Sequence, residues 1–170
     1  MKCDKDVRAV RLDMFRFQSQ CLEVYCEHTG FDPKNFKPVA TPSLDDRAVK
    51  PEEFEAKGEL AAKASKVIMK ILYGARFARF DLLRAVCRLA CHISRWTAAC
   101  DRRLHRLVSY IHSSTHHRMY RWVGDNITAI EPHLFADADF ASCTATQRST
   151  SGAHLCMRGP ATCFPPSGEL

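Results

Sequence analysis

Asp137 and Asp139 stand two residues apart in a segment that alternates apolar and acidic side chains, Phe135-Ala136-Asp137-Ala138-Asp139-Phe140. A period of two is the period of a strand, so both carboxylates share one strand face. Two acids so placed repel, and burying them together requires a cation. Hard oxygen ligands of this kind suit Mg²⁺ or Mn²⁺. The same alternation equally serves a solvent-facing edge strand kept soluble by its acids. Residues 142–151 are small and polar with no helical period, and residues 153–157 turn apolar again. Residues 134–155 therefore read as a hairpin whose two halves pair.

The second chemistry-bearing group is arginine. Every lysine lies at or before Lys70. Between Arg76 and Arg121 ten arginines stand against Asp81 and Asp101 alone, a local net charge of +8 within a chain of formal charge +6. Arg84, Arg88 and Arg95 fall on one predicted helix, and Arg102, Arg103 and Arg106 on the next. Guanidinium groups suit bidentate, sequence-independent contact with a phosphate backbone. An ordinary solvated helix face has the same appearance in sequence. Trp96, Tyr110 and Trp122 suit base stacking or a core equally.

Cys87, Cys91 and His92, with Cys100 and His105 nearby, contain the residue types of a zinc site. Their i, i+4 spacing lacks the short C-x-x-C knuckle that begins most structural zinc sites, so packing is the expectation. The nine cysteines are odd in number and irregularly spaced. The charged N-terminus has no signal-peptide core, and no apolar run reaches the roughly 18 residues of a membrane span. A reduced intracellular protein of cytoplasm or nucleus, neither secreted nor membrane-bound, is expected.

The elements that position these groups follow from periodicity. Residues 13–28 carry a helical stripe, and Thr29-Gly30 stops it. Residues 31–51 hold four prolines and read as an extended connector. A helix is expected over 52–78, with Gly58 and Gly74 as weak points. A second is expected over 82–96 with Asp81 as its cap, and a third over 98–113 with Thr97 as its cap. Residues 120–124 suit a short strand and 126–133 a loop. The result is an α+β fold in three segments: 1–51, a helix and connector; 52–118, an Arg-rich helical region; and 119–170, a hairpin region.

Several stretches resemble the Pol polyprotein of copia-type retrotransposons. Residues 135–141 with Gln147-Arg148-Ser149-Thr150-Ser151-Gly152 resemble the opening of that family's RNase H domain, S-D-A-D-W-A-G followed by R-R-S-T-S-G, with Phe140 in place of Trp and Ser142 in place of Gly. Lys37-Pro38-Val39-Ala40-Thr41-Pro42 resembles its K-P-V-x-T-P connector. Ala78-Arg79-Phe80-Asp81-Leu82 resembles its T/A-R-P-D-L/I segment, with Phe80 in place of Pro. Residues 102–111 resemble its A-x-K-R-V-L-R-Y-L-K-G helix. The matched pieces run in family order from Lys37 to Phe164.

The resemblance implies the region after the polymerase active site and the first hairpin of RNase H. It implies that Asp137 matches the first catalytic Mg²⁺ ligand, with Asp139 a weaker second, and that the partner is an RNA–DNA hybrid. The family's later carboxylates, on an S-S-T-E-A-E-type helix, are not in this sequence. Ser43-Leu44-Asp45-Asp46 has serine where a polymerase hairpin has an aromatic, so Asp45 and Asp46 are expected to be exposed loop acids and no polymerase site. The expected activity is none from this chain alone. An Arg-rich nucleic-acid-binding module, or a remnant without selected role, are the alternatives.

Overall fold

The computed structural model describes residues 6–140, 147, 149–166 and the backbone of 168–169. The polar insert at 141–146 and Arg148, both part of the resemblance, lie outside the described residues. The fold is mixed α+β, as expected. The chain runs β1 (Arg8–Leu12), α1 (Phe15–Thr29), α2 (Ala64–Ala78), α3 (Leu83–Ala90), α4 (Ala98–Ser113), β2 (Met119–Val123), β3 (Glu131–Ala138), β4 (Ser151–Gly159), β5 (Thr162–Phe164) and β6 (Gly168–Glu169). The strands form one antiparallel sheet in the order β1-β2-β5-β4-β3, with β6 also paired to β4.

The core belongs to the helices. In α2, Ala64, Val67, Ile68, Ile71, Ala75 and Ala78 are buried, and in α4, Cys100, Leu104, Leu107, Val108 and Ile111. Both sets repeat at three- and four-residue steps, so each makes one stripe. Burying a side chain such as Ile68, Ile71, Leu104 or Leu107 contributes about 1.5–3 kcal/mol. Cys21 and Tyr25 of α1 and Phe36 of the connector join this core, and β1 pairs with β2. The core thus joins residues 1–51 to the helical region, and the sheet joins residues 1–51 to the hairpin region.

The first helix begins and ends as its sequence asks. The Asp13 carboxylate accepts the Phe15 amide at 2.9 Å, and Gly30 closes the helix in the left-handed region at φ 70°. The helix predicted over 52–78 is shorter than its composition indicates. It begins at Ala64, not near Glu52, because residues 56–60 are paired elsewhere. Gly58 N–H donates to the Trp96 carbonyl, and Ala98 N–H to the Ala56 carbonyl. The Asp101 carboxylate accepts Glu59 N–H at 2.6 Å and the Trp96 indole N–H at 2.6 Å. A Cβ at Gly58 would stand 2.5 Å from the Thr97 carbonyl oxygen, so only glycine fits there.

The helix predicted over 82–96 is likewise cut, to Leu83–Ala90, and a separate 3₁₀ turn covers Ile93–Arg95. The expected cap role of Asp81 is corrected: its carboxylate is held by Arg79 instead, at 2.9 and 2.7 Å. Thr97 does precede α4, but its hydroxyl points to the Cys100 sulfur at 3.4 Å and caps no backbone amide. The expected loop at 126–133 is replaced in part by β3, which starts at Glu131. Residues 31–51 are extended but carry 3₁₀ turns at Pro33–Asn35 and Asp46–Ala48.

Arg79 is 3% exposed at the end of α2. Its guanidinium forks onto Asp81 and also donates to the carbonyl and hydroxyl of Ser114, at 3.2 and 2.7 Å. Burial raises the Asp81 pKa, but the Arg79 guanidinium outweighs it and holds the carboxyl below its usual value. Arg79→Ala should lower stability by about 3 kcal/mol, the lower end of the range for breaking a buried pair, because Asp81 still reaches water. Arg79→Lys keeps the charge but cannot fork, and should lose more than half as much. Urea unfolding followed by circular dichroism measures both. A wild-type midpoint for Arg79→Ala would show that this contact does not hold the helices.

His105 sits among Tyr25, Phe31 and Phe36. The Tyr25 hydroxyl lies 2.9 Å from its Nδ1. Burial pushes the Tyr25 pKa up to about 12, so the phenol keeps its proton in this contact. Burial also pulls His105 below the usual 6.5. The unfolded chain therefore takes up a proton that the folded chain refuses. Stability from this site is full above about pH 6.5 and falls as pH drops through 6.5 towards the lowered value. His92 and His117, pulled down chiefly by burial, add in the same direction. His105→Gln should flatten, without abolishing, the fall in unfolding midpoint between about pH 7 and 5. An unchanged pH profile would show that His105 carries none of it.

Candidate nucleic-acid and metal site

The hairpin forms where the alternation placed it. β3 pairs with β4 in a register that sets Phe135 opposite His154, Ala136 opposite Ala153 and Asp137 opposite Gly152. Phe135, Asp137 and His154 thus share a face. Asp139 lies one residue beyond β3 and continues the pairing, its amide donating to the Thr150 carbonyl at 3.1 Å and its carboxylate accepting the Thr150 amide at 2.6 Å. A shallow cavity of about 380 Å³ opens between this face and the start of α3, lined by Phe80, Asp81, Arg84, Phe135, Asp137 and His154 among others.

The two carboxylates do not act as a pair. Asp139 is bound to Arg84 of α3 at 3.0 Å. Asp137 accepts the neighbouring Ala138 amide at 2.9 Å. Among the described residues β3 is one edge of the sheet, and Ala138 lies on the alternation opposite to Asp139, whose amide faces β4. Asp137 therefore covers a donor that points away from the sheet, and Pro132, also on that side, has no donor at all. Both features discourage another strand from adding to this edge.

A catalytic magnesium pair needs several carboxylates open to the metal. One carboxylate here is neutralised by an arginine and hydrogen-bonded to a backbone amide, so the described residues do not fit such a pair. Among the described residues, no three His, Cys, Asp or Glu side chains converge as a metal-binding group. Cys87 is half-buried, Cys91 exposed and Cys100 buried in the core. The Cys156 and Cys163 sulfurs approach to 3.7 Å on paired strands.

The arginines predicted to face phosphate are for the most part engaged with the chain itself. Arg84 holds Asp139. Arg88 and Arg103 each take one oxygen of Asp46, at 2.7 and 2.9 Å. Arg102 meets Glu53 at 2.6 Å. Arg106 donates to the carbonyl and hydroxyl of Thr41 at 2.9 and 3.0 Å. Arg95 is exposed. Burial raises the Asp46 pKa, but Arg88 and Arg103 outweigh it and hold the carboxyl below its usual value. Of the three aromatic residues weighed for stacking, Trp96 is in the core, Tyr110 is half-buried under Arg79, and Trp122 is exposed on β2.

Asp45 and Asp46 are exposed, as expected, but sequence reasoning missed the arginine partners of Asp46, and missed Asp101 and Arg121 as structural charges. Arg121 is buried, donates to the Phe77 carbonyl at 2.6 Å and lies over the rings of Phe77 and Phe164. Alternation alone would have turned Tyr120 and Trp122 inward and Arg121 outward, the reverse of the fold, so the sequence carried no signal for it. Among the described residues, no helix is long and apolar enough to cross a membrane.

No protein-family model, curated protein or solved structure matches the chain.

Arg103 is 8% exposed, under the Phe54 ring and bound to Asp46, whereas Arg95 stands in solvent. Arg103→Ala should cost about 1–3 kcal/mol of stability, as for a buried charged hydrogen bond, and Arg95→Ala within about 0.5 kcal/mol of nothing. Equal costs in thermal unfolding would show Arg103 to be no more than a surface charge.

Proposed function

We propose that this chain is part of a copia-type retrotransposon Pol polyprotein, covering the region after the polymerase active site and the opening of RNase H. The observation that carries the reading is that Asp137, the residue matching that family's first metal ligand, lies next to last in the first strand of an antiparallel hairpin whose return strand holds the Ser151-Gly152 of the R-S-T-S-G run. The Arg79-x-Asp81 pair adds support. It matches a family motif and has a local physical reason, since Arg79 needs that carboxylate to be buried where two helices end.

On this reading the intact polyprotein copies RNA into DNA and degrades the RNA strand of the hybrid, using Mg²⁺. This chain holds one matching carboxylate and Asp139, which Arg84 occupies. It performs no hydrolysis alone. A second reading, an Arg-rich module that binds nucleic-acid backbone, is favoured by the concentration of arginine on α3 and α4. Its contacts would be electrostatic and indifferent to sequence.

Incubation with a labelled RNA–DNA hybrid in Mg²⁺ or Mn²⁺ should yield no cleavage of the RNA strand. Cleavage that disappears in Asp137→Asn would overturn the statement that the chain is inactive, while strengthening the family reading. Cleavage unaffected by Asp137→Asn would mark a contaminating nuclease.

A further inference from the structure

Four arginines on α3 and α4 already meet a ligand in the free chain, and that ligand is residues 41–54. Arg106 takes the carbonyl and hydroxyl of Thr41. Arg88 and Arg103 share the Asp46 carboxylate. Arg102 takes Glu53. Each contact is a guanidinium N–H on an oxygen, and the oxygens are spaced along one stretch of chain. A nucleic-acid backbone presents the same chemistry, anionic oxygens at intervals along a strand.

We infer that residues 41–54 form an acidic strap that occupies the phosphate-binding face of α3 and α4, and that a nucleic-acid duplex reaches Arg88, Arg102 and Arg106 by displacing it. This rests on the nucleic-acid-binding reading above and adds the competing occupant. The strap is shaped for its acceptors. The Asp45 carboxylate accepts Arg47 N–H at 2.9 Å and so fixes the turn that carries Asp46. The Glu53 oxygen that meets Arg102 also accepts Lys50 N–H at 2.8 Å.

The strap is also lightly held. Its regular structure is two single 3₁₀ turns, Asp46–Ala48 and Pro51–Phe54, and Val49 is its buried apolar residue. The side chains of Arg88 and Asp46 are 49% and 45% exposed, and those of Arg102 and Glu53 41% and 22%. Ion pairs this exposed are weak and yield to salt or to a denser anion. Arg103 differs. It is nearly buried against Phe54 and serves as an anchor, not as part of the exchangeable face.

The test is a salt titration of binding to a fluorescein-labelled RNA–DNA hybrid, followed by anisotropy, on the full chain. Asp46→Asn/Glu53→Gln removes the charge of the strap's two acidic arginine ligands and keeps their shapes. Glu52→Gln/Glu55→Gln makes the same charge change at exposed positions. The first variant should bind about tenfold more tightly than wild type at moderate salt. Its slope of log affinity against log salt should be steeper by up to roughly two units, because in wild type added salt also loosens the competing strap and so offsets part of the loss. The control variant should keep the wild-type slope. Equal affinity and slope for wild type and Asp46→Asn/Glu53→Gln would overturn the strap and leave the binding reading standing. No binding by any of the three would overturn both. A second measurement needs no substitution. Saturating hybrid should speed tryptic cleavage after Arg47 in the wild-type chain. Unchanged or slower cleavage would show that the strap stays in place, and it decides the matter if the double variant fails the circular dichroism check for folding.

Discussion

A guanidinium taken almost wholly out of water needs its donors filled, and Arg79 is buried at the point where α2, α3 and α4 come together. Asp81, two residues on, fills one side of the fork, and the carbonyl and hydroxyl of Ser114 fill the other. The carboxylate fixes the turn from α2 into α3. The Ser114 contacts fix where α4 stops, because they take up acceptors that the helix end leaves over. The Tyr110 ring lies beside the guanidinium, 5.9 Å from its centre. Arg121 of β2 then binds the Phe77 carbonyl, one helical turn or less before Arg79. The sheet is thus pinned to the same corner that joins the helices.

The placement of charge elsewhere follows the same economy. The excess of arginine over acid between residues 76 and 121 is local in sequence only. In space, Asp46, Glu53 and Asp139 come from outside that interval to meet Arg88, Arg103, Arg102 and Arg84. A count of charge along the chain therefore overstates the positive potential that an incoming anion would meet. The hairpin shows the converse. Its paired acids look like a repelling pair awaiting a cation, yet one is met by an arginine and the other by the amide beside it.

Periodicity by itself determined α1, α4, β2 and the pairing of β3 with β4, because each is specified by side chains within a few residues of one another. Ala136 to Phe140 alternates so regularly that only a strand keeps its apolar residues on one face and its two acids on the other, and Leu104, Leu107, Val108 and Ile111 fit only a helix. Gly30 and Asp13 bounded α1 for equally local reasons, a left-handed φ and a side-chain acceptor. Tertiary structure decided the rest. Residues 56–60 have the composition of a helix but give their hydrogen bonds to Trp96, Ala98 and Asp101, some 40 residues on. β1, with little apolar pattern of its own, is a strand because β2 offers it an edge. Which arginine stays in water and which finds a carboxylate was invisible in the sequence for the same reason. A long charged side chain takes whatever partner the fold brings within reach, and that partner's distance along the chain leaves no local trace.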